Sequence, residues 1–515
     1  MTTRLTSTLL AFGSALALGA LAQWPDNQAQ AAAQPQKGGV LNVGFASDTK
    51  TLDPIFSIQF SERQALYLMF NTLVDLGTDF SIKPELATSW DFQNDGKRVV
   101  LKLRQDVKFH DGTPFDASVV KWNLERRLNA DVKSPQRAAL LPVIESVEVV
   151  DPSTVAINLK LQFPGLMGML AQREGFMVPP AAAEKAGADF GSKPVGSGPF
   201  VFKEWVRGSH IAVERNPNYW EAGKPYLDRI VLRDIAGAVV GVQRLLTGEL
   251  DYVAELSPQD VRQLEGRRGI HLDATPTGRW ISMQWQVDKP PFNNEKLRQA
   301  IAHAIDRKRI NDIINDGKGV IAEGPTPKAL WWFNPDLKSY AHDPAKAKAL
   351  LAEAGYPNGL EIGLSHPSTA SLQQINQIVQ EQLKAVGITV KLEPVAQSEW
   401  YARVVQQQIN FTAMRWTQRP DPDGLLYLLF HSKGAGNSTN YKSAEVDALL
   451  DKGRATLDIE ARKPIYRQAQ AVMTRDLPYL PLYFSVEYAA IRDVVQNHAW
   501  IPDEIPRFRD LWKTK

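Results

Sequence analysis

The sequence contains no cysteine, which excludes disulfides, thiolate metal sites, a cysteine nucleophile and a lipid-modified cysteine anchor. It also lacks an excess of either charge, since 59 lysines and arginines face 57 aspartates and glutamates. Neither nucleic acid nor an acidic membrane surface is therefore expected as a partner. The eight histidines are scattered, and none pairs with another at the spacing of a metal site. No metal or other cofactor is expected.

Long apolar runs are also missing. The longest is the uncharged stretch of about 13 residues at 9–21, too short for a membrane helix of roughly 20 residues. It follows the basic start at Arg4 and precedes the small-residue triplets 29–31 and 31–33. This order is typical of a cleavable signal peptide. Residues 1–33 are therefore predicted to be a leader, and the mature protein is expected in the periplasm.

Roughly 480 residues remain after such a leader, which is more than one core holds, because chains beyond about 250–300 residues split into domains. Short strands dominate residues 38–191, interrupted by a helix predicted at 117–128 with Asp116 or Ser118 as N-cap. Further on, strands at 360–365, 388–392 and 411–416 alternate with helices, as in an α/β layered domain.

The segment 415–424 follows the last of these strands and is the strongest candidate for ligand contact. Its prolines stiffen the backbone around Arg419 and Asp421, and Trp416 precedes them. A rigidly held guanidinium beside an aromatic ring suits a ligand carboxylate. The alternative is a surface Arg419 paired with Asp421 or Asp423.

An enzymatic function finds no support in the motifs. The sequence has no His-Glu-x-x-His, no Gly-x-Ser-x-Gly and no Gly-Lys-Ser/Thr that would end a phosphate loop. His110 and Asp111 are adjacent, but Gly112 and Pro114 indicate a turn there. A binding protein is therefore preferred to an enzyme, with a periplasmic hydrolase as the alternative from another class.

Short motifs in one consistent order cover nearly the whole mature chain. They are Thr-Leu-Asp-Pro at 51–54, Pro-Glu-Leu-Ala-Thr-Ser-Trp at 84–90, Phe-His-Asp-Gly-Thr-Pro-Phe at 109–115, Gly-Ser-Gly-Pro-Phe at 196–200, Arg-Asn-Pro-Asn-Tyr-Trp at 215–220, Gly-Glu-Leu-Asp at 248–251 and Arg-Gln-Ala-Ile-Ala-His-Ala-Ile-Asp-Arg at 298–307. With them the sequence resembles the dipeptide-, oligopeptide- and nickel-binding receptors of ABC importers, extracellular solute-binding protein family 5.

The resemblance implies an α/β, two-lobed periplasmic-binding-protein fold of type II, with an extra subdomain inserted in the first lobe. Lobe I would comprise residues 34–66, 192–277 and 488–515, the inserted subdomain residues 67–191, and lobe II residues 278–487. The implied function is capture of a peptide or carboxylate-bearing solute and delivery to an inner-membrane permease, by a monomer without catalysis. Opine, glutathione or nickel-chelate reception are the alternatives within the family.

In peptide-binding members of the family, an aspartate a few residues after the tryptophan pairs with the peptide's α-amino group. Here that position holds Gln418 or Arg419, and the spacing to Asp421 and Asp423 differs. Two alternatives remain open. Either Asp421 or Asp423 takes the place of the family's aspartate, or both carboxylates stabilise the turn and cap the helix that follows. The residues expected to contact ligand are Arg419, Trp416, Asp421, Arg415, Trp280 and Gln59.

Overall fold

A computed structural model describes residues 34–46, 49–367 and 369–514. The expected leader, residues 1–33, lies outside the described residues. Within them, the largest sheet has nine strands and runs through both lobes. No helix of the described part is long and apolar enough to span a bilayer.

The residues expected to form lobe I supply five strands of this sheet. Its first strand lies parallel to Arg229–Ile235 and to Tyr252–Val253, and the outer strands continue antiparallel. The strands are Val40–Ala46, Phe200–Val206, His210–Arg215, Arg229–Ile235 and Tyr252–Val253, with the small pair Val495–Gln496 and Trp512–Lys513 at the C-terminus. The helices are Phe60–Met69, Ala238–Leu246 and Pro258–Leu264, with a 3-10 turn at Pro54–Phe56.

The inserted subdomain has its own antiparallel four-stranded sheet and a separate strand pair. Its strands are Val74–Leu76, Ile82–Pro84, Ala87–Gln93, Arg98–Leu103, Ile144–Asp151 and Thr154–Leu159. Its helices are Ala117–Leu128, Arg137–Leu140, Leu166–Leu170 and Pro180–Ala186, with 3-10 turns at Arg173–Gly175 and Gly187–Ser192. The helix predicted at 117–128 is confirmed, with the Asp116 carboxylate accepting two backbone N–H bonds at its start.

Lobe II alternates helices with strands. Its strands are Val320–Ile321, Leu360–Pro367, Ile388–Val395 and Phe411–Thr417. Its helices are Glu295–Ala304, Arg307–Asn315, Pro344–Glu353, Ala370–Lys384, Gln397–Val405, Leu426–Phe430, Ala444–Arg454 and Ile459–Asp476, with a 3-10 turn at Pro422–Gly424. The three strands predicted in alternation with helices form, but only the first two pair with each other, in parallel. The third pairs with the large sheet.

Two long antiparallel strands, Ile270–Trp285 and Tyr479–Arg492, pass through both lobes, and we call them the hinge strands. Their ladder is irregular between Pro276 and Trp280. There the Thr277 hydroxyl donates to the Ser485 carbonyl at 3.1 Å and accepts from the Arg279 N–H at 3.0 Å. The side chain of Thr277 thus satisfies backbone groups that the interrupted ladder leaves unpaired.

The hydrophobic core forms clusters that cross the expected lobe boundaries. One joins lobe I to residues between 176 and 190 of the inserted subdomain, and another lies under the helices of lobe II. A third joins the inserted subdomain to lobe II, with residues such as Leu166, Leu170, Leu426 and Leu429 fully buried in it. The inserted subdomain therefore shares a core with the opposite lobe, even though it is inserted in lobe I. The lobe boundaries that the family resemblance implies stay a proposal.

The C-terminal tail is held by a buried ionic network. The Arg509 guanidinium donates to both carboxylate oxygens of Glu85, at 3.1 and 3.2 Å, and lies 3.4 Å from Asp75 Oδ2. Burial raises the pKa of Glu85 to about 7, against the opposing effect of Arg509. This network ties residues near the end of the chain to the inserted subdomain.

Replacing Arg509 by alanine should destabilise the protein by roughly 2–4 kcal/mol, because Glu85 would be left buried without its cationic partner. The free energy of unfolding from urea denaturation measures the change. Arg309→Ala is the matched control, since Arg309 pairs with Glu381 while both side chains are more than half exposed, and we expect it to cost less than about 1 kcal/mol. Equal losses for the two variants would contradict the assignment.

Candidate functional site

The first candidate site is a cavity of about 530 Å³ beside the hinge strands, which we call the hinge cavity. Its walls come from both lobes and from both hinge strands, so a ligand inside it would touch both lobes at once. Lobe I contributes Glu255, Leu256, Ser257 and Pro258. Lobe II contributes Ile314, Asn315, Thr369, Ser371, Leu372, Ile375, Trp400, Tyr401, Met414 and Arg415. The hinge strands contribute Arg279, Ile281, Tyr483, Ser485, Val486, Glu487 and Tyr488.

Arg279 lines this cavity, and its guanidinium is paired with two carboxylates. Its guanidinium lies 3.2 Å from Glu487 Oε2 and 2.5 Å from Glu504 Oε2. Glu487 and Glu504 are 6% and 5% exposed, so both carboxylates depend on Arg279 for compensation. Burial raises the pKa of Glu487 to about 7, and the nearby Glu504 and Glu255 act in the same direction.

Arg415 differs from Arg279 because it forms no side-chain hydrogen bond or ion pair with another described residue. It stands opposite Ile281 in the antiparallel ladder and faces the hinge cavity with it. Its partial enclosure and the repulsion from Arg279 lower its pKa. The cavity therefore offers one uncommitted guanidinium, a buried carboxylate at Glu487 and the aromatic rings of Trp400, Tyr483 and Tyr488.

A second cavity, of about 560 Å³, lies between the inserted subdomain and lobe II, and we call it the outer cavity. Its lining combines apolar side chains with charged ones at its edge. The lining residues are Ala139, Pro142, Val143, Leu161, Phe163, Gly165, Gly168, Met169, Gln172, Arg173 and Glu174 from the inserted subdomain. Lobe II adds Arg419, Pro420, Asp421, Asp423, Gly424, Tyr427, Leu428, Lys433, Ala435 and Arg454.

Arg419 lines the outer cavity and forms no ion pair with Asp421 or Asp423, contrary to the alternative drawn from the sequence. Asp421 accepts two bonds from the buried Arg462 guanidinium, at 2.8 and 3.0 Å. Asp423 accepts two from Arg454, at 2.6 and 2.9 Å. Asp421 also caps the turn Pro422–Gly424 by accepting from the Asp423 N–H.

The remaining predicted contacts lie away from both cavities. Trp280 is fully buried and packs on Phe430 and Tyr479. Trp416 is 6% exposed and pairs with Trp280 across the ladder. Gln59 is the N-cap of helix Phe60–Met69, where its N–H donates to the Glu62 carboxylate at 2.8 Å. Their placement adds no support to a role in ligand contact, and that role stays a prediction.

Gln418, at the position where peptide-binding members carry their aspartate, is buried. Its amide donates to the Pro325 carbonyl at 2.6 Å, and its backbone N–H donates to the Gly278 carbonyl in the hinge. Sequence reasoning missed Arg173 of the outer cavity and Glu255 of the hinge cavity. No local pattern could have found them, because only the tertiary fold brings them to the cavities.

Comparison with known proteins identifies the family. The sequence profile of the bacterial extracellular solute-binding proteins, family 5 (middle), matches residues 81–437. The glutathione-binding protein GsiB of Pectobacterium atrosepticum is 31% identical over 487 residues, which cover 92% of this chain and 94% of that protein. The chain belongs to the bacterial extracellular solute-binding proteins of family 5, which confirms the resemblance seen in the sequence.

Solved structures agree with this assignment. The periplasmic binding protein DppA of Helicobacter pylori, in complex with the peptide STSA, has a TM-score of 0.80 and 27% identity, with 93% of this chain and 99% of that chain covered. AgaA of A. tumefaciens R10, in complex with agropinic acid, has a TM-score of 0.77 and 30% identity, with 93% and 99% covered. The expected two-lobed α/β fold is thereby confirmed.

The chain is thus a substrate-binding component of an ABC importer, which acts outside the cytoplasm and delivers its ligand to a membrane permease. Its family is one of solute-binding proteins. Among the described residues, no three histidine, aspartate or glutamate side chains come together as a metal site.

Protonation of Glu487 should be visible in the pH dependence of stability. Because its pKa is about 7 in the folded protein and 4.5 is usual, the folded state holds this proton more tightly than the unfolded state. The contribution of Glu487 to stability is therefore present below about pH 4.5 and is lost as the pH rises to about 7. Glu487→Gln should remove this slope.

The measurement is the free energy of unfolding of wild type and Glu487→Gln between pH 4 and pH 8. The difference, wild type minus variant, should fall across that window and then stay level above about pH 7. Glu381→Gln serves as a control, since Glu381 lies exposed at the protein surface. A difference that is independent of pH would rule out a raised pKa at Glu487.

Proposed function

We propose that this chain captures a small peptide-like solute carrying both an ammonium and a carboxylate in the hinge cavity, and releases it chemically unchanged to the importer. Binding would close the two lobes because the ligand touches both. No reaction is needed for this role.

The observation that carries the proposal is the uncommitted guanidinium of Arg415 in a cavity walled by both lobes. A planar guanidinium binds a carboxylate with two parallel hydrogen bonds. Because Arg415 has no ion pair with another described residue, a ligand carboxylate would not have to displace an internal partner.

The carboxylates of the cavity suit the opposite end of such a ligand. Glu487 lies on the hinge strand and is electrostatically coupled to Arg415, Glu255 and Arg279. A ligand ammonium placed near Glu487 would favour its ionised form and lower its pKa. The aromatic rings of Trp400 and Tyr488 supply apolar contact between the two charged ends.

The relatives support this class of ligand. GsiB binds glutathione, DppA was solved with the peptide STSA, and AgaA with agropinic acid. Glutathione and a free peptide each carry an ammonium and at least one carboxylate. A cavity of about 530 Å³ holds a molecule of this size.

Arg415→Ala should weaken binding of the ligand by about tenfold or more, because a charge-assisted bidentate contact is lost. Arg415→Lys should restore little, since lysine lacks the planar fork. Mass spectrometry of small molecules released on denaturation identifies the ligand, and isothermal titration calorimetry with that molecule, glutathione and Ser-Thr-Ser-Ala measures the affinities.

The matched control is Arg268→Gln, which removes the same charge from an exposed turn outside both cavities. It should bind as wild type does. Unchanged affinity in the Arg415→Ala variant, for a ligand that binds wild type, would overturn the proposal.

We further propose that the protein is exported to the periplasm with removal of residues 1–33 or 1–31. The support is the apolar run at 9–21 followed by two small-residue triplets. Protein recovered from the periplasmic fraction should then begin at residue 32 or 34, as intact mass will show. Ala31→Asp, which alters both triplets, should leave the precursor uncleaved. A periplasmic protein that begins at residue 1 would refute cleavage.

A further inference from the structure

We propose that two ion pairs between lobe I and lobe II form a salt-sensitive latch, which stabilises the closed arrangement in which both lobes wall the hinge cavity. The latch consists of Arg262, Glu265, Asp316 and Lys318. It acts on the equilibrium between closed and open lobes, whichever ligand the hinge cavity takes.

Each ion pair of the latch joins one lobe to the other. The Arg262 guanidinium, on helix Pro258–Leu264 of lobe I, is paired with the Asp316 carboxylate of lobe II. The Lys318 ammonium of lobe II lies 3.0 Å from Glu265 Oε1 of lobe I. The four side chains are between 34% and 55% exposed. Dissolved ions can therefore reach both pairs, and added salt should weaken them.

The order of the charges is opposite on the two sides of the latch. Along the chain, lobe I presents a cation and then an anion, Arg262 and Glu265. Lobe II presents an anion and then a cation, Asp316 and Lys318. Bringing Arg262 to Lys318, or Glu265 to Asp316, would place like charges together. The latch therefore favours one alignment of the two lobes and opposes others.

The helix that carries Arg262 is fixed to lobe I at both ends. At its start, the Asp260 N–H donates to the Ser257 hydroxyl at 3.2 Å, and the Asp260 carboxylate accepts the Ser257 N–H at 2.9 Å. This reciprocal pairing is a capping box. Further along, Val261 and Leu264 are buried in a hydrophobic cluster. Arg262 is therefore presented from a rigid element, which lowers the entropy cost of forming its ion pair.

The turn that carries Asp316 and Lys318 is fixed by the buried side chain and carbonyl of Asn311. The Asn311 carbonyl accepts the Gly317 N–H at 3.2 Å. Its side-chain amide donates to the Gly319 carbonyl at 2.9 Å. The chain then continues directly into a short strand that pairs with one of the hinge strands. Both charges on the lobe II side are thus held in place beside the hinge.

The two helices joined by the latch also line the hinge cavity. Pro258 begins the lobe I helix, Asn315 ends the lobe II helix Arg307–Asn315, and both residues line the cavity. A ligand that contacts both helices and the ion pairs of the latch would therefore favour the same closed arrangement.

The four latch residues themselves are not among the described residues that line the hinge cavity. They act on ligand affinity through closure of the lobes rather than through contact with the ligand. High ionic strength should therefore favour the open lobes and ease release of the ligand, whatever its chemistry.

Single-molecule fluorescence energy transfer tests the latch on the full mature protein, refolded from denaturant to remove bound solute. Because the chain has no cysteine, Gln243→Cys and Lys348→Cys, at exposed positions on the two lobes, can carry the donor and acceptor dyes. The measured quantity is the ratio of closed to open molecules. Without changes in the latch, this ratio should fall as KCl is raised from about 0.05 M to about 1 M, where the Debye length is about 3 Å.

Charge reversal tests the pairing itself. At low salt, Glu265→Lys and Lys318→Glu should each lower the closed-to-open ratio about threefold or more, because each turns an attraction between the lobes into a repulsion. The two substitutions together restore opposite charges and should return the ratio at least to its original value.

Glu381→Lys is the matched control, since Glu381 is exposed and pairs with Arg309 within lobe II. It should leave the closed-to-open ratio unchanged. A ratio that neither salt nor Glu265→Lys alters would overturn the proposal. Failure of the combined variant to recover the ratio would overturn it as well.

Discussion

The pairing of Arg279 with Glu487 and Glu504 is the interaction on which the hinge cavity depends. One guanidinium compensates two buried carboxylates, and the three groups come from the two hinge strands and the C-terminal segment. They meet beside the irregular part of the hinge ladder, where backbone pairing alone does not join the strands. Burial, reinforced by Glu504 and Glu255, raises the pKa of Glu487 even though Arg279 opposes the shift, and the cavity keeps an acidic group next to Arg415.

The alternation of side chains along a strand explains why neighbours in sequence have different roles here. Arg415 pairs with Ile281 in the ladder, and both line the hinge cavity. Trp416 pairs with Trp280 on the opposite face, where both are buried in the core that the inserted subdomain shares with lobe II. One strand thus supplies a polar group to a cavity and a large ring to a core, with a period of two residues.

Sequence reasoning succeeded where the signal is local. Asp116 and the apolar spacing after it predicted the helix Ala117–Leu128 at its observed bounds, because an N-cap acts within one turn. The ordered motifs led to the correct family and fold. A strand was also predicted at 411–416, one residue short of the observed Phe411–Thr417, but its partner was not, since strand pairing is set by contacts between residues distant in the chain.

The candidate site shows the same contrast between local signals and contacts of residues distant in the chain. The sequence singled out Arg415 and Arg419 because prolines and a tryptophan surround them. It could not tell that Asp421 and Asp423 are occupied by Arg462 and Arg454, which lie on later helices. Nor could it bring Arg173 to the cavity that Arg419 lines, since more than two hundred positions separate the two residues.

The ion pair between Arg509 and Glu85 constrains the order in which parts of the molecule can fold. These residues are separated by 424 positions, and the hinge strand Tyr479–Arg492 lies in the interior of the large sheet. Neither the sheet nor the anchor of the inserted subdomain can be completed from the earlier part of the chain. The fold therefore cannot be completed before the segment 479–509 takes its place in it, however early the first lobe's strands pair.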